Sequence, residues 1–174
     1  KQTQIKTRFR NMAYDQLKLR NQICFRLYTA SRLVTQTYYP LLEKLGITYP
    51  QYLVLMALWE EDGQKVMELA HRLYLDSNTV TPLIQRMATE GLVTRKKGEK
   101  DARETYVYLT ESGKALEREA ASIPSCMLGK ILSDATGVET LRSLSAELDG
   151  VIKTLSEQRA MEKALAKDKG SQVL

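Results

Sequence analysis

The chain has 174 residues, 43% of them hydrophobic, and a formal net charge of +5, with a pI near 9.1. That is enough for one domain with a sizeable core, and its modest basicity is consistent with a nucleic-acid partner. No run of about 18 apolar residues predicts a membrane span, and no signal-peptide pattern opens the chain, so a cytoplasmic protein is expected. The single histidine, His71, rules out a His-rich metal site, and no Ser-His-Asp set, Walker loop or dinucleotide-binding glycine pattern is present. Neither a metal nor an organic cofactor is therefore expected.

Residues 1–14 are polar and basic (Lys1, Lys6, Arg8, Arg10) and are expected to form a flexible arm. From about Asp15 to Leu45 a helical pattern follows, with Leu17, Ile23, Leu27, Leu33, Val34, Leu41 and Leu42 in a broad apolar stripe. Pro40 predicts a kink or break there. Thr48-Tyr49-Pro50-Gln51 predicts a helix start, with Thr48 as cap, Pro50 in the first turn and Gln51 where a capping box requires it. Leu53, Val54, Met56, Ala57, Leu58 and Trp59 make that helix apolar almost all round, so it should be buried. Glu60 to Gly63 ends it.

The stretch from Leu69 to Thr110 carries the strongest pattern. Val66, Leu69, Ala70 and Leu73 recur at helical spacing. A polar turn, Leu75 to Asn78, leads to a second helix with Val80, Leu83, Ile84 and Met87 on one face. Pro82 belongs in a first helical turn, which favours a start near Asn78 or Thr79, with Asp76 and Ser77 in the turn; the cap itself is left open. Gly91 closes the helix as a residue free to take positive φ. Two alternating runs, Leu92 to Arg95 and Thr105 to Leu109, flank a charged loop from Lys96 to Glu104.

Helix, turn, helix and hairpin in this order predict a winged helix-turn-helix. Ser77, Asn78, Thr79, Thr81 and Gln85 offer neutral hydrogen-bonding groups to a major groove, and Arg86 suits a phosphate or a guanine. The N–H groups at the start of the helix can also meet a phosphate. Lys96, Lys97 and Arg103 make the wing tip basic, and Arg103 suits a narrow minor groove, with Asp101 as its orienting partner. The bland alternative for this loop is a solvated charged turn.

After Thr110, a further cap, a helix is expected through Leu116 to Ala121, broken by Pro124. A short piece follows with Cys126, Met127, Leu128, Ile131 and Leu132. A last amphipathic helix, Gly137 to about Lys167, carries Val138, Leu141, Leu144, Leu148, Val151, Ile152 and Leu155 and a loose Lys-rich end. The terminal helical regions hold more apolar surface than a lone winged unit can cover. A two-fold homodimer solves this and sets two reading helices on palindromic half-sites roughly 34–36 Å apart. The expected fold is thus mainly α with a small β-wing. It divides into sensor and dimerisation helices at 15–64, the winged unit at 65–110 and C-terminal dimerisation helices at 111–174.

The order of elements over about residues 15–160 resembles the MarR family of bacterial transcription regulators. Asn21 to Phe25, Tyr38 to Leu42, Ile47 to Tyr52, Leu73 to Ser77, Thr79 to Leu83 and Asp101-Ala102-Arg103 are similar to its organic hydroperoxide resistance repressors. The resemblance implies that Cys24 senses organic hydroperoxides, that Tyr38 and Tyr49 hydrogen-bond its thiolate, that Tyr28 lies nearby, and that oxidation releases operator DNA. It further implies that Cys126 resolves the oxidised cysteine into an intersubunit disulfide. The wing has its own length and charges, so the operator sequence does not carry over.

Spacing adds to this. Tyr28 lies one turn from Cys24 on the same face. Tyr38 lies about 21 Å farther along a straight helix, so any bond from Tyr38 to the sulfur must come from the partner subunit. The chemistry requires a thiolate, and tyrosine O–H donors stabilise the charged form of a thiol. Phe25, Leu27 and the tyrosines would favour an organic peroxide over hydrogen peroxide. Against these stand plainer readings: helical cysteines are commonly small buried hydrophobes, and tyrosines on an apolar face are commonly core residues. Two other functions compete, a repressor released by a small aromatic ligand and a thiol peroxidase. The well-formed DNA-reading unit argues against the enzyme.

Overall fold

The computed structural model describes residues 14–132 and 136–171; apart from Tyr14, the basic arm expected at 1–14 lies outside them. The chain is mainly α, with a small antiparallel sheet. Residues 1–123 and 124–174 form two compact units.

In the first unit α1 spans Ile23–Leu42, not the whole stretch from Asp15. Residues 15–21 form two 3-10 turns separated by an extended Lys18. Local side-chain bonds compete with the helix here. The Asn21 amide donates to the Asp15 carbonyl at 2.9 Å and to its carboxylate at 3.1 Å, and Lys18 also pairs with Asp15. Pro40 lies inside α1, which ends two residues later and tightens into a 3-10 turn over Glu43–Leu45.

α2 (Tyr49–Glu60) has the predicted start. Gln51 Oε1 accepts from the Thr48 N–H at 2.7 Å and from its hydroxyl at 3.0 Å. The helix is the core of this unit, with Tyr52, Val54, Leu55, Ala57 and Leu58 buried. β1 (Gln64–Lys65) follows, a two-residue strand that the sequence pattern did not predict. It is held by Gln64, whose buried side-chain amide donates to the carbonyls of Ala57 at 2.7 Å and Glu61 at 2.6 Å.

α3 (Val66–Arg72) and α4 (Ser77–Thr89) are the helix-turn-helix pair. The start of α4 departs from the expectation. Asp76 is the capping residue and Ser77 already helical. Thr79 and Val80 donate to the Asp76 carbonyl at 2.9 and 3.0 Å. Pro82 is therefore the sixth helical residue, and its missing N–H costs one bond, to the carbonyl of exposed Asn78, where solvent can replace it. Val80, Ile84 and Met87 are fully buried against the rest of the core. At the far end Gly91 has φ +75°. Leu92 N–H donates to Met87 at 3.0 Å and Gly91 N–H to Ala88 at 3.2 Å, the two bonds of a left-handed helix stop.

β2 (Val93–Lys97) and β3 (Thr105–Leu109) form the wing, Val93 opposite Leu109 and Lys97 opposite Thr105. The strand order is β1-β3-β2. Val93 and Val107 point into the core. α5 (Glu111–Ala120) is capped as predicted, with the Gly113 N–H donating to the Thr110 hydroxyl at 3.1 Å. Gly113 also marks a close approach. A Cβ there would meet the Leu92 carbonyl oxygen at 2.2 Å, and its own carbonyl accepts from Trp59 Nε1 at 3.0 Å. Gly113→Ala is expected to force α5 off the wing and to destabilise by about 1–3 kcal/mol. Thermal unfolding would register this as a Tm lower by about 2–4 °C per kcal/mol; an unchanged Tm would show that α5 moves away freely.

α6 (Ile123–Ile131) carries Pro124 inside its first turn, so the chain breaks just before that residue rather than at it. α7 (Val138–Ser171) closes the second unit and runs past the expected end at Lys167. No residue of α7 from Val138 to Ala166 is buried, although Leu144, Val151, Ile152 and Leu155 lie along it at helical spacing and exposed.

Candidate DNA-reading and redox sites

α4 presents the predicted polar face. Ser77, Asn78, Thr79, Thr81, Gln85 and Arg86 are all exposed, while Val80, Ile84 and Met87 anchor the opposite side. The division follows from a 3.6-residue period, with apolar residues three and four apart. The N–H groups of Thr79 and Val80 are already taken by Asp76.

In the wing loop Arg103 is held by Asp101 in a fork. Arg103 Nε lies 3.0 and 3.2 Å from the two carboxylate oxygens and Nη2 2.8 Å from one of them. The Arg103 backbone N–H also donates to Asp101 at 2.9 Å. These bonds hold the Asp101 carboxyl below the usual carboxylate range and the Arg103 guanidinium above its own. The Arg103 side chain is nonetheless 91% exposed. It is aimed without being covered. Lys96 and Lys97 are exposed too, with Lys96 Nζ 5.2 Å from the centre of the Tyr108 ring. Lys65 pairs with Glu104 at 2.8 Å and stands 5.7 Å from the Tyr106 ring. Lys65, Lys96, Lys97, Glu104, Tyr106 and Tyr108 line an open cleft of about 550 Å³ beside the wing.

The redox residues fall into separate places. Cys24 is the second residue of α1 and is exposed, and Tyr28 is exposed one turn on. The Tyr28 hydroxyl accepts from Arg32 Nη1 at 3.2 Å. Tyr38 and Tyr49 are brought together, ring centres 4.9 Å apart, and Tyr52 joins them at 5.9 Å from Tyr38. Burial pushes all three tyrosine hydroxyls up from their ordinary value, so they stay protonated and able to donate. Tyr52 was not among the predicted residues, though its place three residues after Tyr49 puts it on the same side of α2. Cys24 and Tyr38 share one continuous helix, fourteen positions apart, or about 21 Å along its axis. The structure does not join them within one chain. Cys126 lies in α6, in the other compact unit, and is exposed rather than buried.

A winged helix-turn-helix whose second helix has an exposed polar face, with an exposed arginine in the wing loop, is the architecture of a DNA-binding transcription regulator. Residues 36–119 match the SarA/Rot transcriptional regulator family. The organic hydroperoxide resistance transcriptional regulator of Bacillus subtilis (strain 168) is 46% identical over 145 residues, 83% of this chain and 97% of that one. AbfR of Staphylococcus epidermidis has the same fold. Its reduced, DNA-bound form superposes with a TM-score of 0.68 at 34% identity, over 83% of this chain and 99% of that one. A disulfide form of AbfR gives 0.55 at 36% identity, over 82% and 98%. AbsC, a MarR family regulator from Streptomyces coelicolor, gives 0.69 at 26% identity, over 81% and 97%. The chain belongs to the MarR family of transcription regulators, in its organic hydroperoxide resistance branch. It is a regulator and not an enzyme. No helix among the described residues is long and apolar enough to cross a membrane.

Proposed function

We propose that the protein is a cytoplasmic, homodimeric repressor of palindromic operator DNA that senses organic hydroperoxides at Cys24. The observation that carries this reading is the layout of α1. An exposed cysteine stands at one end and a pair of protonated tyrosines at the other. Two α1 helices crossing antiparallel would set each Tyr38–Tyr49 pair beside the partner's Cys24. Exposed Ile23, Phe25, Leu27 and Leu33 on α1 and the apolar row of α7 favour such a dimer. A 34-residue helix with no buried residue between Val138 and Ala166 has little of its own to hold it, since helices in proteins depend on packing. Residues 15–64 then serve as sensor and dimer contact, 65–110 as the reading head, and 111–174 as further dimer contact, with 1–14 as an arm.

The chemistry balances as follows. The Cys24 thiolate attacks one peroxide oxygen, the O–O bond breaks, and the alcohol leaves after taking a proton. Cys24 is left as a sulfenic acid, oxidised by two electrons. The Cys126 thiol of the partner then attacks that sulfur, a disulfide forms and water leaves. A disulfide requires Cα atoms about 4.4–6.8 Å apart. Closing it between two subunits would reset the spacing of the reading helices, which Ser77, Asn78, Thr79, Thr81, Gln85 and Arg86 depend on, along with Lys96, Lys97 and Arg103 of the wing.

The test is fluorescence anisotropy on a labelled operator at fixed salt, because phosphate contacts make affinity salt-dependent. Cumene hydroperoxide should release the DNA near one oxidant per subunit, and dithiothreitol should restore binding. Binding that ignores the oxidant would leave a repressor without this sensor. One observation favours a second reading, release by a small aromatic anion. Tyr106 and Tyr108, with Lys65 and Lys96 over their rings, offer such a molecule a cleft. Release by an aryl carboxylate under full reduction would support it.

A further inference from the structure

Gln51 is the buried polar residue whose contacts reach farthest. It is 2% exposed, and both ends of its amide are used. Oε1 caps α2 through Thr48. Nε2 donates to the carboxylate of Glu90, thirty-nine residues on. Glu90 is the residue that ends α4. A carboxylate there faces the negative end of the helix dipole, which disfavours it, so helix stability does not explain its presence. Gln51 does. The contact ties the first turn of α2 to the last turn of the reading helix.

That first turn also carries Tyr49, whose ring meets Tyr38 at 4.9 Å. We propose that Gln51 and Glu90 are positioning residues that link the Tyr38–Tyr49 pair to α4, so that displacement of Tyr49 is delivered to the C-terminal end of the reading helix. The proposal rests on the reading that Cys24 oxidation disturbs this tyrosine pair. The path is short and has no gap: Tyr49 begins α2, Gln51 follows two residues later, and its amide holds Glu90. Beside it the glycine stop at Gly91 fixes the chain entering the wing. A shift of Glu90 is therefore passed to β2 as well as to α4.

Glu90→Ala removes the acceptor and leaves the Gln51 cap on α2 intact. Glu90→Gln loses the same charge but keeps an oxygen that can accept from Gln51. Any change caused by charge near DNA is common to both variants. The expected result is that cumene hydroperoxide weakens operator binding in the wild type and in Glu90→Gln to the same degree. In Glu90→Ala that ratio of oxidised to reduced Kd should be smaller by about fivefold or more, within the range of coupled neighbours. A Glu90→Ala ratio equal to that of a responsive wild type, or an equal loss in Glu90→Gln, would overturn the proposal.

A second measurement requires no oxidant. Tyr49→Ala, or Tyr49→Leu if the alanine variant unfolds, is combined with Glu90→Ala and the reduced operator affinities are compared as a double-mutant cycle. The effect of the tyrosine change should fall by about fivefold when Glu90 is absent. Strict additivity would overturn the linkage. A wild type that ignores peroxide while the cycle remains coupled would count against the Cys24 reading and leave the linkage standing.

Discussion

Cys24→Ser is expected to bind operator as the wild type does and to hold it through an excess of cumene hydroperoxide. A serine hydroxyl is not ionised at neutral pH and has no oxidisable sulfur, so the first step is removed while the shape of the side chain is nearly kept. The wild type should lose about 5–150-fold in operator affinity on oxidation, the usual span for a coupling between two sites; the variant should lose none. Non-reducing electrophoresis gives an independent readout. Oxidised wild type should run as a covalent dimer, and Cys24→Ser and Cys126→Ser as monomers. The two variants should then part company. Cys126→Ser still forms the sulfenic acid, so excess peroxide should drive it on to the sulfinic acid, which dithiothreitol does not reverse. A Cys24→Ser protein that still releases DNA would remove the sensor. A Cys126→Ser protein whose release stays fully reversible would return Cys126 to a structural role.

Much of the fold was legible because its signals are local. The Thr48–Gln51 box closes within four residues, and the glycine stop after α4 needs only Gly91 and the turn before it. The apolar face of α4 follows from period alone. What was missed depends on contacts at a distance or on competing local bonds. The stripe that begins at Leu17 looked helical, yet Asp15 draws in Lys18 and Asn21 and the helix waits until Ile23. Two residues, Gln64 and Lys65, are too few to alternate, so β1 is visible only through its pairing with Val107 and Tyr106. At α4 Pro82 stands beyond the first turn, since an exposed helix start can do without the one bond it removes. The site divides the same way. The polar face of α4 is a property of one helix and could be read. Gln51 showed its capping half in sequence, while its bond to Glu90 spans thirty-nine residues and has no sequence signature. The resemblance assigned Tyr38 and Tyr49 to one thiolate site, while their ring contact and Tyr52 beside them were not expected.

Arg103→Ala should cost more operator affinity than any other single change in the wing. Its guanidinium is held by Asp101 through both carboxylate oxygens and yet stands 91% exposed. A side chain so long normally loses much rotamer freedom when it binds, and here part of that ordering is done in advance. A base- or groove-directed arginine is worth about 1–3 kcal/mol. In a two-fold dimer each substitution acts at both half-sites, so the loss doubles to about 2–6 kcal/mol, or roughly 30-fold to more than 10⁴-fold in Kd. Asp101→Ala keeps the cation but frees it, and should lose a smaller part of the same affinity with the salt dependence unchanged. Salt titration then separates two roles for Arg103 itself. If it lies in a narrow minor groove, its loss should weaken A·T-rich operators more than others. If it only meets phosphates, its loss should weaken all sequences alike and lower the slope of log K against log salt by about one per half-site. An Arg103→Ala protein with wild-type affinity would mean that the Asp101 fork serves the fold of the loop, and that the wing does not read DNA through its tip.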